Sequence, residues 1–274
     1  MKHLLFPLLL FTLASCQIDG LDPLNAQTVV PDVNARISRK LSVTGDGKTV
    51  YAEARYQYNT LGQLERINSY SWNSRNAKGP MILSYYETYE YNGAKLLSRK
   101  TSYYRSSNAD DFRAMSMQNY SYPADGQIVD IGSGFNATTN TWYVASRTET
   151  FTENSRPMRV LRYVPNSSPA FVLQSTEAYT YKAGRLVTVE YKSPAITNYY
   201  TLVYTYKGRT AKIEAITTNT SQPSSRQELE YDRRGRLIRQ QYVNYGIDRL
   251  YLSSSSSSLY IVNGNTLTVF EYDN

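Results

Sequence analysis

This sequence predicts an all-β fold, an antiparallel meander of repeated β-hairpins forming a curved, open or half-closed twisted sheet. Three observations predict it. An aromatic pair two residues apart, then a turn, a glycine and an aliphatic residue, recurs from residue 50 to the end of the chain. Stretches such as 186–191 and 266–272 alternate with period two, as half-buried strands do. Tyrosine, with 27 copies against 7 Phe and 2 Trp, dominates the aromatic residues, and it suits strands because its ring covers a pleated surface while its hydroxyl keeps a polar tip.

The N-terminus reads as an address. Lys2 precedes a short apolar run over residues 4–13, and Leu13, Ala14, Ser15 and Cys16 follow at once. Ten apolar residues are too few for a permanent spanning helix. The Leu-Ala-Ser-Cys string resembles the lipobox of bacterial lipoprotein signals, and that resemblance implies a signal peptide over 1–15 and a lipid on Cys16. An ordinary secretory signal with an incidental cysteine is the alternative. Gln17 is not the aspartate that retains some lipoproteins at the inner membrane, which favours the outer membrane, while its periplasmic or surface face stays open. Residues 16–35 carry prolines, a glycine and no periodicity, and read as a lipidated tether. A single β-repeat domain is expected over 36–274.

Within that domain the clearest phrases are Tyr56, Tyr58, Asn59, Gly62 and Leu64; Tyr120, Tyr122, Asp125, Gly126 and Ile128; Tyr179, Tyr181, Gly184 and Leu186; and Leu229, Tyr231, Asp232, Gly235 and Leu237. Shorter copies begin at Tyr89, Phe151 and Tyr204, and an unfinished one closes the chain at Phe270 and Tyr272. The second aromatic falls at 58, 91, 122, 151, 181, 206, 231 and 272, in steps clustering near thirty, which argues a repeat architecture. Residues i and i+2 share a strand face, so each pair stands on one side of the sheet. Asn59 and Asp232 occupy the first position of a turn whose fourth position is Gly62 or Gly235, where the chain needs φ > 0 to rejoin a strand. Asp125, Gly126 and Gly184 are the turn residues of their phrases. Each phrase is therefore a hairpin, and the polar stretches between phrases are turns at the opposite end of the sheet.

The phrase Tyr-x-Tyr-Asx-x-x-Gly-x-Leu resembles the YD repeat of Rhs-type bacterial proteins and teneurins, over residues from about 50 to 274. The Tyr-Asp pair itself stands only at Tyr231-Asp232 and Tyr272-Asp273, and about eight copies are too few for the large shell that Rhs proteins build. A closer likeness is to small Bacteroidetes lipoproteins with degenerate YD-like repeats. That resemblance implies a lipid-anchored sheet and no particular reaction.

Composition narrows the chemistry. The lone histidine is His3 and the lone cysteine Cys16, so a mature chain holds no Ser-His-Asp or Cys-His machinery, no Cys/His zinc site and no internal disulfide. The formal charge of +7, from 30 basic and 23 acidic residues, is scattered; its densest cluster, Arg233, Arg234 and Arg236, sits in a turn, and no nucleic-acid partner is expected. No metal, cofactor or catalytic residue is expected. Carboxylates remain the one source of acid/base chemistry, but Asp110 and Asp111 point to opposite sides of an extended chain, and cross-strand ion pairing accounts for Glu228 and Glu230. Tyr85, Tyr86, Tyr103, Tyr104, Tyr199 and Tyr200 form rows that could stack sugar rings or peptide side chains; packing between repeats is the plainer account of any one of them. The expectation is thus an envelope-anchored, non-catalytic binding or scaffolding lipoprotein whose ligand is a glycan or an extended polypeptide. The alternatives are an accessory subunit of an outer-membrane uptake or secretion complex and, third, a carboxylate-based carbohydrate-active enzyme.

Overall fold

The computed structural model describes residues 36–44, 47–72, 80–105, 111–166, 170–194, 196–217, 223–244 and 266–272, with the backbone alone for 196–199, 243–244 and 266. Cys16, the run Ser253 to Ser258 and the chain's last two residues lie outside them. Sixteen strands are present and, among the described residues, no helix: β1 (Ile37–Thr44), β2 (Val50–Tyr58), β3 (Leu64–Trp72), β4 (Met81–Tyr91), β5 (Leu97–Arg105), β6 (Phe112–Ala124), β7 (Gln127–Asn136), β8 (Thr141–Glu153), β9 (Arg156–Pro165), β10 (Phe171–Lys182), β11 (Arg185–Ser193), β12 (Ile196–Lys207), β13 (Thr210–Thr217), β14 (Pro223–Tyr231), β15 (Leu237–Asn244) and β16 (Thr266–Tyr272).

Every strand pairs antiparallel with the next, and β16 pairs with β1, so the sheet is a closed barrel. The open or half-closed sheet expected from the sequence is corrected here, for two physical reasons. Most hairpins carry a bulge beside the aromatic pair, between Gln57 and Tyr58, Glu90 and Tyr91, Thr180 and Tyr181, and Glu230 and Tyr231, and further bulges lie toward the other rim, as between Ser69 and Tyr70 or Ser102 and Tyr103. Each bulge bends its strand and adds twist, and together they curl the ribbon round. The unfinished final phrase is then completed from the other end of the chain: β1 supplies the returning strand that β16 lacks. Closure removes both sheet edges.

The repeat has a clear structural meaning. Its aromatic pair lies at or near the end of an even-numbered strand, and the hydroxyl of the second tyrosine donates to a carbonyl at the start of the preceding strand. Tyr58 reaches Ile37 at 3.0 Å, Tyr91 reaches Leu64 at 2.9 Å, Tyr122 reaches Leu97 at 3.0 Å, Tyr181 reaches Pro157 at 3.0 Å, Tyr206 reaches Leu186 at 3.0 Å and Tyr272 reaches Leu237 at 2.8 Å. At four of these positions an arginine just before the acceptor lies over the same ring, namely Arg36 on Tyr58, Arg156 on Tyr181, Arg185 on Tyr206 and Arg236 on Tyr272. The phrase Gly-Arg-Leu therefore offers a cation to the ring and a carbonyl to the hydroxyl, and fastens each hairpin to its predecessor. Ile37 stands in the place of the leucine, so β1 belongs to the repeat series.

The turns follow local chemistry. Asn59 Oδ1 accepts the amides of Leu61 and Gln63 at 3.0 and 2.9 Å, and Asp232 Oδ1 accepts those of Arg234 and Arg236 at 2.8 and 2.9 Å. Gly62 and Gly235 close these turns at φ 78° and 80°. The pairs Asn154 and Ser155, and Ala183 and Gly184, both have positive φ at both positions, the two-residue geometry that matches strand twist. Gly126, after Asp125, has φ 74°. The short turns form one rim; the longer connections form the other. Near the short-turn rim lie the two apolar clusters, Leu64, Ile67, Tyr89 and Leu97 on one side, and Leu186, Val189, Tyr204, Ala211, Ile213, Leu229 and Tyr231 on the other.

Candidate functional site

Register sorts the side chains into two faces. Arg39 lies opposite Arg55 and Glu271, whereas its neighbour Lys40 lies opposite Ala54 and Phe270. Residues directly opposite share a face, so this alternation can be followed round the whole ring. The Arg39 face is the outside. There Glu53 takes Arg39 at 2.9 Å and Arg55 at 2.5 Å, and ion pairs such as Arg147 with Glu149 at 2.7 Å, Lys212 with Glu214 at 2.9 Å and Arg226 with Glu228 at 3.1 Å continue round the barrel. Glu228 pairs with Arg226 two residues earlier on the same strand, where a cross-strand pair was expected, and Asp111 is exposed just before β6. Asp110 lies outside the described residues.

The Lys40 face is the inside, and its mid-wall charges alternate in sign along β4 to β10, Glu87, Lys100, Asp130, Arg162 and Glu177, while Arg113 lies nearer the rim opposite Tyr104. Lys100 pairs with Glu87 at 3.3 Å and Arg162 with Glu177 at 3.0 Å. Tyr89 donates to Glu87, Tyr179 to Glu177 at 2.7 Å and Tyr120 to Gln118 at 3.0 Å, so the residue two before a repeat's first aromatic catches that aromatic's hydroxyl. Burial pulls the Glu87 carboxyl upward, but the Lys100 charge and hydrogen bonds from Tyr85, Tyr89 and Lys100 outweigh it and hold it below its usual range. At Asp130 burial wins over Arg162, a Thr148 hydrogen bond and Lys100, and pushes the group up to about 6. One of its oxygens, Oδ1, is buried without a hydrogen-bond partner.

A closed barrel of sixteen strands is wider than its inward side chains can fill. Accordingly, inner-face residues keep accessible surface: the Arg162 side chain is 45% exposed although it faces inward. The accessible rings gather toward the long-connection rim. Tyr104, Tyr143 and Val172 are inner-face residues that are 49%, 55% and 47% exposed, and Gly132 and Gly134 leave the room that Ser146 and the Tyr143 ring occupy. Among the described residues the inner face is therefore packed at the short turns and lined by tyrosines toward the long connections, the end called the mouth below.

The six tyrosines singled out in the sequence fall on both faces. Tyr85 and Tyr104 are an inner pair, ring centroids 4.7 Å apart. Tyr86 and Tyr103 are an outer pair stacked at 4.4 Å, with Phe112 at 5.1 Å and the Arg66 guanidinium 3.8 Å from the Tyr86 ring. Tyr200 is inner and stacks on Tyr191 at 4.7 Å. Tyr199 lies in β12, and its side chain is outside the described residues. Adjacent residues of a strand cannot share a face, so Tyr85 and Tyr86 were never one row. Sequence reasoning missed Glu87, Lys100, Asp130, Arg162, Glu177 and Tyr143. For Glu87 and Glu177 a signal was present, an acidic residue two before the aromatic pair; for Asp130 and Arg162 there was none, because only barrel closure turns that face inward. Among the described residues no three of His, Cys, Asp and Glu come together as a metal site would require.

No protein-family model matches this chain, and no curated protein does. Among solved structures it is similar to a protein of unknown function from Bacteroides fragilis, with 16% identity over 48% of this chain and 95% of that one, at a TM-score of 0.40. It is also similar to a porin-like protein from Bacteroides vulgatus, 7% identical over 87% of this chain and 99% of that one, at 0.34. A third is a DUF3836 family protein from Parabacteroides distasonis, 13% identical over 42% and 88%, at 0.28. These likenesses are too loose to carry a function.

Proposed function

We propose that this chain is an envelope-anchored, non-catalytic binding lipoprotein that holds a glycan in the mouth of its barrel. The observation that carries this reading is the gathering of Tyr85, Tyr104, Tyr143, Tyr191 and Tyr200 on the inner face of one rim, beside a wall of alternating charges. Sugar rings present an apolar face to aromatic rings and a hydroxyl edge to charged and amide groups, and this wall offers both within one concavity. The inner carboxylates support binding over hydrolysis. Glu87, Asp130 and Glu177 sit on β4, β7 and β10, so neighbouring members are three strands, on the order of 14 Å, apart along the wall. A glycosidase pair stands nearer, at roughly 5–9.5 Å.

The lipid on Cys16 completes the reading. The chain enters β1 at Ile37, on the short-turn rim, so a tether over 16–35 leaves from the packed end and the mouth can face away from the bilayer. The charged outer face suits a domain held beside a membrane. A second reading, an accessory subunit of an outer-membrane uptake or secretion complex, is favoured by Trp142, 42% exposed on the outer face near the mouth.

The test is a glycan array probed with residues 17–274, followed by titration of any hit against Tyr104→Ala and Tyr143→Ala. The expected result is saturable binding weakened at least about tenfold by either change, the scale of losing one stacked ring. A folded protein that binds no glycan, or a hit indifferent to both changes, overturns the proposal.

A further inference from the structure

Among the described residues four cations lie on the inner face, Arg113 opposite Tyr104 near the mouth and three at mid-wall, and two of these three are neutralised: Lys100 by Glu87 and Arg162 by Glu177. Lys40 is different. It projects inward from β1, and among the described residues no carboxylate, hydroxyl or carbonyl partners its ammonium group. Its ladder neighbours are Ala54 and Phe270, and the flanking inner positions are Ser42, Thr268 and the half-buried ring of Tyr56. Burial alone moves its pKa, downward, with no opposing charge in play. A half-buried cation on the inner wall without a counter-charge is a natural place for an anion arriving from outside.

The surroundings leave room for such a partner. From Lys40 toward the mouth, the inner face of β1 to β3 carries Ser42, Ala52, Ala54, Ser69 and Ser71, while the adjoining strands β4 and β5 carry the Tyr85 and Tyr104 rings. The inner wall here carries only small side chains around Lys40, with tyrosines on the strands to one side.

We infer that this stretch of wall receives an acidic oligosaccharide, with Lys40 as the counter-charge of one carboxylate and the Tyr85 and Tyr104 rings, three and four strands away, against other sugars of the same chain. The inference rests on the glycan reading and narrows it to uronate-containing chains. A neutral sugar would leave Lys40 unpaired, so the acidic residue is preferred at this one subsite.

The experiment uses residues 17–274 and two probes, a uronic acid tetrasaccharide and the same tetrasaccharide with its carboxylates reduced to alcohols. Isothermal titration of the wild-type protein is expected to favour the acidic probe at least about tenfold, one good charge-assisted contact. Lys40→Met and Lys40→Gln are expected to erase that preference and leave affinity for the reduced probe unchanged. Their thermal stability should be equal to or above wild type, since each removes an unpaired, half-buried charge. Equal affinity of the wild type for both probes, or a preference that survives both substitutions, overturns the inference while leaving glycan binding in place. Failure of both probes in the wild type, with no other glycan bound on the array, overturns the underlying reading as well.

Discussion

Tyr206 shows what a single residue does in this fold. Its ring lies under Arg185 at 5.6 Å and its hydroxyl donates to Leu186 at 3.0 Å, so one side chain fastens two strands by two different forces. Tyr206→Phe keeps the ring and loses the hydrogen bond; a loss of about 1 kcal/mol and a fall of a few °C in Tm are expected. The same change at Tyr91 or Tyr122, well separated round the ring, should add to it, and a triple variant melting like wild type would refute the fastening role. Asp130 gives a pH signature. Its folded pKa, about 6, lies above the ordinary 3.8, so the stability its proton contributes is complete below about 3.8 and is lost as pH rises through 6. Asp130→Asn should therefore raise Tm at pH 7.5, by the equivalent of about 1–3 kcal/mol, and leave it unchanged near pH 3.5. Melting curves at the two pH values decide this; a variant less stable at pH 7.5 contradicts it. The turn residues Asn59, Gly62, Asp232 and Gly235 were legible in the sequence because their chemistry is local. Asp130 was not, because its surroundings come from β5, β8 and β9.

At the scale of the element, hairpins were legible and closure was not. A turn announces itself within four residues, and the aromatic pair marks the strand entering it. The pairing of β1 with β16 joins Ile37 to Tyr272, with the whole domain between them and no signature in either strand. Bulges are equally silent, since an extra residue in a ladder changes no motif. Removing residues 266–274 would strip the shared neighbour from β1 and β15 and leave two open edges, and the truncated chain is expected to aggregate or lose cooperative melting on size-exclusion chromatography and calorimetry. A monomeric truncated chain with an unchanged Tm would mean that β1 to β15 hold their curvature alone. Excision of an internal hairpin is a harsher test than an open sheet would have made it, because fourteen remaining strands must find a new stagger to close.

For the whole molecule the division of charge between the faces decides the solvent. Arg39, Glu53, Arg55, Arg147, Glu149, Lys212, Glu214, Arg226 and Glu228 point outward, where a membrane-spanning barrel needs an apolar band; a lysine or arginine at the bilayer midplane costs about 2–4 kcal/mol. Residues 36–274 are therefore expected to stay soluble without detergent and to remain at the bottom of a vesicle flotation gradient, and flotation of this lipid-free domain would overturn that assignment of the outer face. The inner charges explain why the sequence looked so evenly polar: both faces carry ions and both carry aromatic rings, so period two separates apolar from polar residues only weakly.

Since Ile37 and Tyr272 face each other across one ladder, the eight repeats form a ring with no first member. The order in which the ribosome makes them is then a convention of the gene. A short linker from 272 to 37, with new ends opened among residues 137–140 between β7 and β8, gives a circularly permuted chain that encloses the same lumen. Such a rearrangement would free the tether to leave from the mouth instead of the packed end, turning the barrel over on its anchor.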